Sequence, residues 1–141
     1  MKAFLDTSVL VAAFYATHEH HRPSFELFVN QNPKSACTAA RCLAEVYATL
    51  TGMPGRDRAN GDEAMLYLGN VRERLAIVTL DSDEYFRAME RATATGAIGG
   101  GIYDAILGEC ALKAKAQSIY TWNLKHFRRL RPEVAGRAKT P

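Results

Sequence analysis

The chain has 141 residues, 48% of them hydrophobic and 23% charged, with a formal net charge of +3. That length and mixture predict one domain, residues 1–141, with enough core to fold without disulfides, and they exclude a disordered or fibrous chain. The longest apolar run, Val9 to Ala16, is far too short for a bilayer, and Asp6 interrupts the N-terminal apolar stretch before a secretory signal forms, so a cytoplasmic protein without membrane contact is expected.

Lys2–Leu5 predicts a short strand that ends on Asp6, followed by Thr7 and a helix over Ser8–Tyr15. A His-rich loop, Thr17–Arg22, leads to a helix opened by Pro23 and running to about Asn30. Ser35–Thr38 predicts a second strand, and Ala39–Leu50 a helix with the apolar stripe Leu43, Val46, Tyr47 and Leu50. Gly52 to Arg58 is a turn-rich basic loop. Asn60–Arg74 predicts a helix with Ala64, Leu68 and Val71 on one face, and Ala76–Leu80 a third strand. Asp81 or Ser82 caps a helix that runs to about Ala94. Gly96 to Gly101 is a flexible break before an apolar helix, Tyr103–Ala116, and a strand, Ser118–Thr121. A short helix follows Asn123, and the tail from Arg131 is irregular or a brief edge strand. Strands alternating with helices predict an α/β fold, a central parallel sheet of four or five strands with helices on both faces.

Asp6, Asp104 and Asn123 fall at one edge of such a sheet, where open α/β folds hold their ligands. Each also has an ordinary structural reading. Asp6 and Asn123 suit helix N-caps, and Asp104 suits the positive end of its helix. Glu45 lies mid-helix beside the apolar stripe, where a surface acid would also sit. His18, His20 and His21 lack helical metal-ligand spacing and read as an exposed loop. Asp81, Asp83 and Glu84 fit capping. Cys37, Cys42 and Cys110 have no paired spacing and read as small buried residues. Residues 111–141 carry eight Lys and Arg against Glu133 alone, about +7, beside an acidic body. That asymmetry fits a polyanion partner whose phosphates meet the basic face, or simply a solvated surface.

Four segments taken together carry a resemblance: Phe4-Leu5-Asp6-Thr7-Ser8-Val9-Leu10, Leu43-Ala44-Glu45-Val46-Tyr47, Tyr103-Asp104-Ala105-Ile106-Leu107 and Thr121-Trp122-Asn123-Leu124-Lys125-His126-Phe127. In order and spacing the chain resembles the PIN-domain nucleases, and more closely the VapC-type toxins of bacterial toxin–antitoxin pairs. The resemblance implies a parallel sheet flanked by helices, a divalent-metal site and ribonuclease activity that leaves a 5′-phosphate and a 3′-hydroxyl. It also implies a homodimer bound by a small antitoxin.

It carries Asp6, Glu45 and Asp104 over as metal-site carboxylates, with Asn123 at the fourth catalytic position and Thr7, Ser8 and Thr121 as supporting hydroxyls. Asn123 stands where an Asp is often found, and His126 where some relatives place a further acid; both departures bear on a second metal position. Oxygen ligands favour Mg²⁺ or Mn²⁺. Lys125, Arg128 and Arg129 are expected to hold the RNA backbone, positioning the strand more than reading its sequence.

Two rival readings stay open. Aspartyl phosphotransferases also place an Asp after the first strand, but Ser8 stands where their second Asp would be. A PIN-like module that binds RNA or a protein without cutting it is the other.

Overall fold

The computed structural model describes residues 1–141, and its sheet has five parallel strands in the order β3-β2-β1-β4-β5. The strands are β1 (Ala3–Leu5), β2 (Ala36–Ala39), β3 (Ala76–Val78), β4 (Ser118–Tyr120) and β5 (Ala138–Lys139). The helices are α1 (Thr7–Phe14), α2 (His21–Val29), α3 (Ala40–Gly52), α4 (Gly61–Arg74), α5 (Ser82–Ala94), α6 (Gly101–Lys113), α7 (Leu124–Phe127) and α8 (Pro132–Ala135). None is long and apolar enough to cross a membrane.

The chain lays β1, β2 and β3 outward in one direction, then returns to add β4 and β5 on the other side of β1. Right-handed crossovers in both directions put α1–α4 on one face and α5–α6 on the other. The direction reverses between β1 and β4, and such a switch point opens a crevice at the carboxyl ends of the strands. Phe4, Leu5 and Ile119 are fully buried in those two strands, between Leu10 and Val46 of one layer and Leu107 of the other. Central parallel strands are apolar on both faces for that reason.

Local chemistry sets several boundaries. Asn60 with Glu63, and Asp81 with Glu84, form reciprocal capping boxes that start α4 and α5. Helix α2 begins at His21, two residues before Pro23, because the His21 Nδ1 atom bonds to the Ala12 carbonyl oxygen at 2.8 Å and ties the first turn to α1. Gly96 and Gly99 adopt left-handed φ values of 74° and 58°, so the glycine-rich break is a defined turn that ends as α6 begins at Gly101.

The α3 stripe differs from expectation. Cys42, Val46 and Leu50 are buried, whereas Tyr47 is exposed, because the helix turns one position further toward the sheet. The C-terminal tail ends in the brief edge strand, β5 beside β4, and the short helix α8 opening on Pro132 precedes it where no helix was expected. Helix α7 ends at Phe127, so Arg128 caps it and Arg129 lies beyond it rather than on a continuing helix.

All three cysteines are free and buried. Burial pushes the Cys37 and Cys42 thiols up to about 12 and Cys110 to about 11, which removes them from thiolate chemistry. Part of the C-terminal basic charge is structural. Lys113 bonds to Glu84 at 2.7 Å, Arg137 to the Ala116 carbonyl at 2.7 Å, and Arg131 grips the nearly buried Glu109 through two bonds of 2.8 and 3.0 Å. Arg91 reaches the same Glu109 carboxylate at 2.7 Å, so α5, α6 and the start of α8 are tied at one point. Lys125, Arg128 and Arg129 remain exposed and without ion pairs.

Candidate active site

Asp6 closes β1 and enters the N-terminus of α1, and only 3% of it is exposed. Its backbone N–H donates to the Tyr120 carbonyl oxygen at 3.0 Å, which fastens the end of β1 to the end of β4. The side chain makes no capping bond to the helix. Its Oδ2 instead accepts from Ser8 Oγ at 2.9 Å and from Thr121 Oγ1 at 2.7 Å.

Each hydroxyl is also an acceptor: the Trp122 N–H donates to Ser8 Oγ and the Asn123 N–H to Thr121 Oγ1, both at 2.9 Å. A hydroxyl has one proton to give. With an amide occupying one lone pair on each, both protons go to Asp6, and both go to the same oxygen. The carboxylate is thereby fixed in orientation. Replacing Thr121 with Val should remove one donor to the buried carboxylate and leave the part-buried Asn123 N–H without its acceptor. The expected loss of stability is about 1–3 kcal/mol, read as a lower denaturation midpoint at unchanged slope.

The charge of Asp6 reaches two further carboxylates. Burial raises Asp6 above the usual carboxylate range, against the hydrogen bonds from Thr121 and Ser8. Burial also raises Glu45, opposed by Arg41 and reinforced by the charges of Asp6 and Asp104. Asp104, in the first turn of α6, is raised by burial and by Asp6, and pulled back by His126 and Arg41. Carboxylates raised by burial and by a neighbouring like charge, in a crevice at a switch point, are the electrostatic signature of a functional site.

The sequence-derived candidates do not all play the same part. Glu45 is half-buried, not a surface acid, and its Oε1 is a buried oxygen without a hydrogen-bond partner. Arg41 Nε lies 3.2 Å from that oxygen, and its guanidinium rests 3.9 Å over the Tyr103 ring. As placed, no three acidic, histidine or cysteine side chains stand close enough together to ligate one ion. Asn123 occupies the N-cap of α7 but makes no side-chain cap bond, and it is exposed at the rim. Thr7 stays outside the Asp6 network, with its Oγ1 buried and unpartnered.

Sequence reasoning missed Arg41 and two aromatic contacts. His126 Nδ1 stands 3.5 Å from Asp104 Oδ2. Together with Arg129 and the Gly96–Gly101 turn, these two line an open cleft of about 740 Å³. The histidine loop is not merely exposed: His20 stacks on Trp122 at 3.7 Å and 7°, while the Trp122 indole donates to the buried Ser24 hydroxyl at 2.8 Å. Trp122 also follows Thr121, and its backbone N–H is the one that donates to Ser8 Oγ. An i, i+4 Arg–Glu pair was readable at Arg41 and Glu45, but nothing local announced the Tyr103 partner.

Residues 3–131 match the model of the PIN domain family. Ribonuclease VapC40 of Mycobacterium tuberculosis is 31% identical over 132 residues, covering 92% of this chain and 94% of that protein. Among solved structures, VapC20 of M. tuberculosis, described as a sarcin-ricin loop cleaving toxin, superposes with a TM-score of 0.67 at 20% identity, covering 89% of this chain and 92% of that one. VapBC2 of Rickettsia felis, bound to a DNA fragment from their promoter, gives 0.69 at 21% identity, covering 100% and 99%. At those identities the structures support the fold.

Proposed function

Because the chain belongs to the PIN-domain family, in its VapC-type branch, we propose that it is an endoribonuclease that hydrolyses RNA phosphodiester bonds at the β1–β4 crevice. The observation that carries this reading is Asp6, a buried carboxylate held by two hydroxyls at the switch point, whose charge acts on both Glu45 and Asp104.

The donor set suits a hard divalent cation, Mg²⁺ or Mn²⁺. It offers carboxylate oxygens and no thiolate, and Glu45 Oε1 is an unsatisfied buried acceptor. Asp6, Glu45 and Asp104 would hold it, with Asn123 at the margin. Bound there, the ion would supply an activated water and neutralise charge developing on the scissile phosphate.

The chain's own residues do the rest. Ser8 and Thr121 keep Asp6 oriented and oppose its protonation. Asp104 faces the cleft that also holds His126 and Arg129, and the Arg129 guanidinium is placed for a backbone phosphate. Lys125 and Arg128, exposed on either side of His126, extend that basic rim. They position the RNA without reading its bases.

Residues 1–141 act as one PIN-like unit in this reading, in the cytoplasm, as a homodimer whose partner is a cognate antitoxin. The resemblance to paired VapBC assemblies supports the partner, and three free buried thiols fit a reducing compartment.

End-group analysis of RNA fragments tests the chemistry. Attack by an external water with the 3′-oxygen leaving as the hydroxyl gives 5′-phosphate and 3′-hydroxyl ends, the expected result. Fragments ending in 2′,3′-cyclic phosphate would mean that the RNA's own 2′-hydroxyl is the nucleophile, and would overturn the assignment.

A further inference from the structure

Arg41 stands where a cation is needed and is held there from two sides. It projects from the first turn of α3, its Nε is 3.2 Å from Glu45 Oε1, and its guanidinium lies 3.9 Å over the Tyr103 ring of α6. The two helices belong to opposite layers, so this stack bridges the mouth of the crevice. Both the Arg41 Nε and the Glu45 Oε1 are buried, and neither makes an aligned hydrogen bond. The pair is therefore close in charge but poor in geometry, lacking the parallel bidentate bonds that make Arg–carboxylate pairs strong. A contact of that kind exchanges readily.

The electrostatics extend past Glu45. The Arg41 charge also draws down Asp104, so it acts on two of the three carboxylates at once. Those three carboxylates do not converge, and Glu45 is the one turned toward a cation of the chain itself.

We propose that Arg41 is a tethered cation that competes with the divalent ion for Glu45, so that loading the site requires Glu45 to exchange the guanidinium for the ion. This rests on the metal-site reading above. Tyr103 is the clamp: its exposed ring holds the guanidinium beside Glu45 and so strengthens it as a competitor. The device sets the divalent-ion concentration at which the crevice becomes competent, and keeps the acidic cluster partly neutralised below it.

Calorimetric titration of Mn²⁺ into the full chain, at fixed pH and salt, tests this with no reference to activity. Parent, Arg41→Gln, Tyr103→Leu and Asp6→Asn are compared, each first shown to melt cooperatively. Arg41→Gln is expected to bind Mn²⁺ roughly tenfold more tightly, since it removes a unit charge adjacent to a carboxylate ligand. Tyr103→Leu keeps the charge but removes its resting surface, and should tighten binding by a smaller factor. A purely structural arginine would lower the melting temperature of Arg41→Gln without raising its Mn²⁺ affinity.

Unchanged or weaker Mn²⁺ binding in Arg41→Gln, with Asp6→Asn impaired, overturns the competition while leaving the metal site intact. Parent-like binding in Asp6→Asn overturns the metal-site reading itself. Should Arg41→Gln fail to fold, Tyr103→Leu decides: tighter binding sustains the proposal and parent affinity overturns it.

Discussion

Asp6→Asn should abolish RNA cleavage while leaving the protein folded and at least as stable as the parent. The asparagine keeps the shape of the side chain and an oxygen for the Ser8 and Thr121 hydroxyls, so the hydrogen bonds of 2.9 and 2.7 Å have an acceptor. It removes the negative charge. Asp6 is the most deeply buried of the three carboxylates, and burial is the main reason its pKa is raised. Ionising it therefore costs the folded state something, and the neutral isostere is relieved of that cost. Activity responds in the opposite direction, because the charge is what a cation is held by. The expected fall in cleavage rate is on the order of 10³, the size of loss seen when one preorganised electrostatic contact to a reacting phosphate or oxyanion is removed. A cleavage rate within a few-fold of the parent would show that Asp6 is a structural residue.

The stabilising effect of a divalent ion should depend on pH. Asp6, Glu45 and Asp104 are all raised above their ordinary values of 3.8, 4.5 and 3.8. A folded state that holds protons more tightly than the unfolded chain loses stability as pH rises through the interval between the ordinary and the raised values. The penalty is absent below the ordinary values, where both states are protonated, and complete above the raised ones. A divalent cation acts only on the ionised forms. Millimolar Mn²⁺ should thus raise the melting temperature near pH 7 and leave it unchanged near pH 3. At roughly 100 times its dissociation constant the ion adds about 2.7 kcal/mol, a rise on the order of 10 °C for a domain of this size. Thermal melts with Mn²⁺ and with chelator at both pH values measure it. An equal gain at both would place the ion away from the carboxylates.

How much of this could be read from the chain alone follows from the range of each interaction. The alternation of strands and helices, the capping at Asp81 and the strand-end position of Asp6 are encoded within a few residues, and the structure has them where local chemistry puts them. Glu45 is different. Its neighbours in sequence describe a surface acid, and only the packing of α3 against the sheet half-buries it and sets it against Arg41. Arg41 on Tyr103, His20 on Trp122 and Glu109 between Arg91 and Arg131 join residues 18 to 102 positions apart. No periodicity announces such pairs. Tyr47 misled because a helix stripe fixes spacing but not phase, and the sheet selected Cys42. The basic C-terminal third was legible as charge, yet Lys113, Arg131 and Arg137 turned out to be structural ties.

The central claim is that the β1–β4 crevice cuts RNA through its carboxylates. The most direct measurement is fragment production from single-stranded RNA with Mg²⁺, by the parent and by Asp104→Asn, with RNA affinity measured on the same preparations. The account predicts 5′-phosphate fragments from the parent, none in excess chelator, and RNA binding without cleavage by the variant. A parent chain that binds RNA with Mg²⁺ present and leaves it whole would contradict the account and identify a binding module instead.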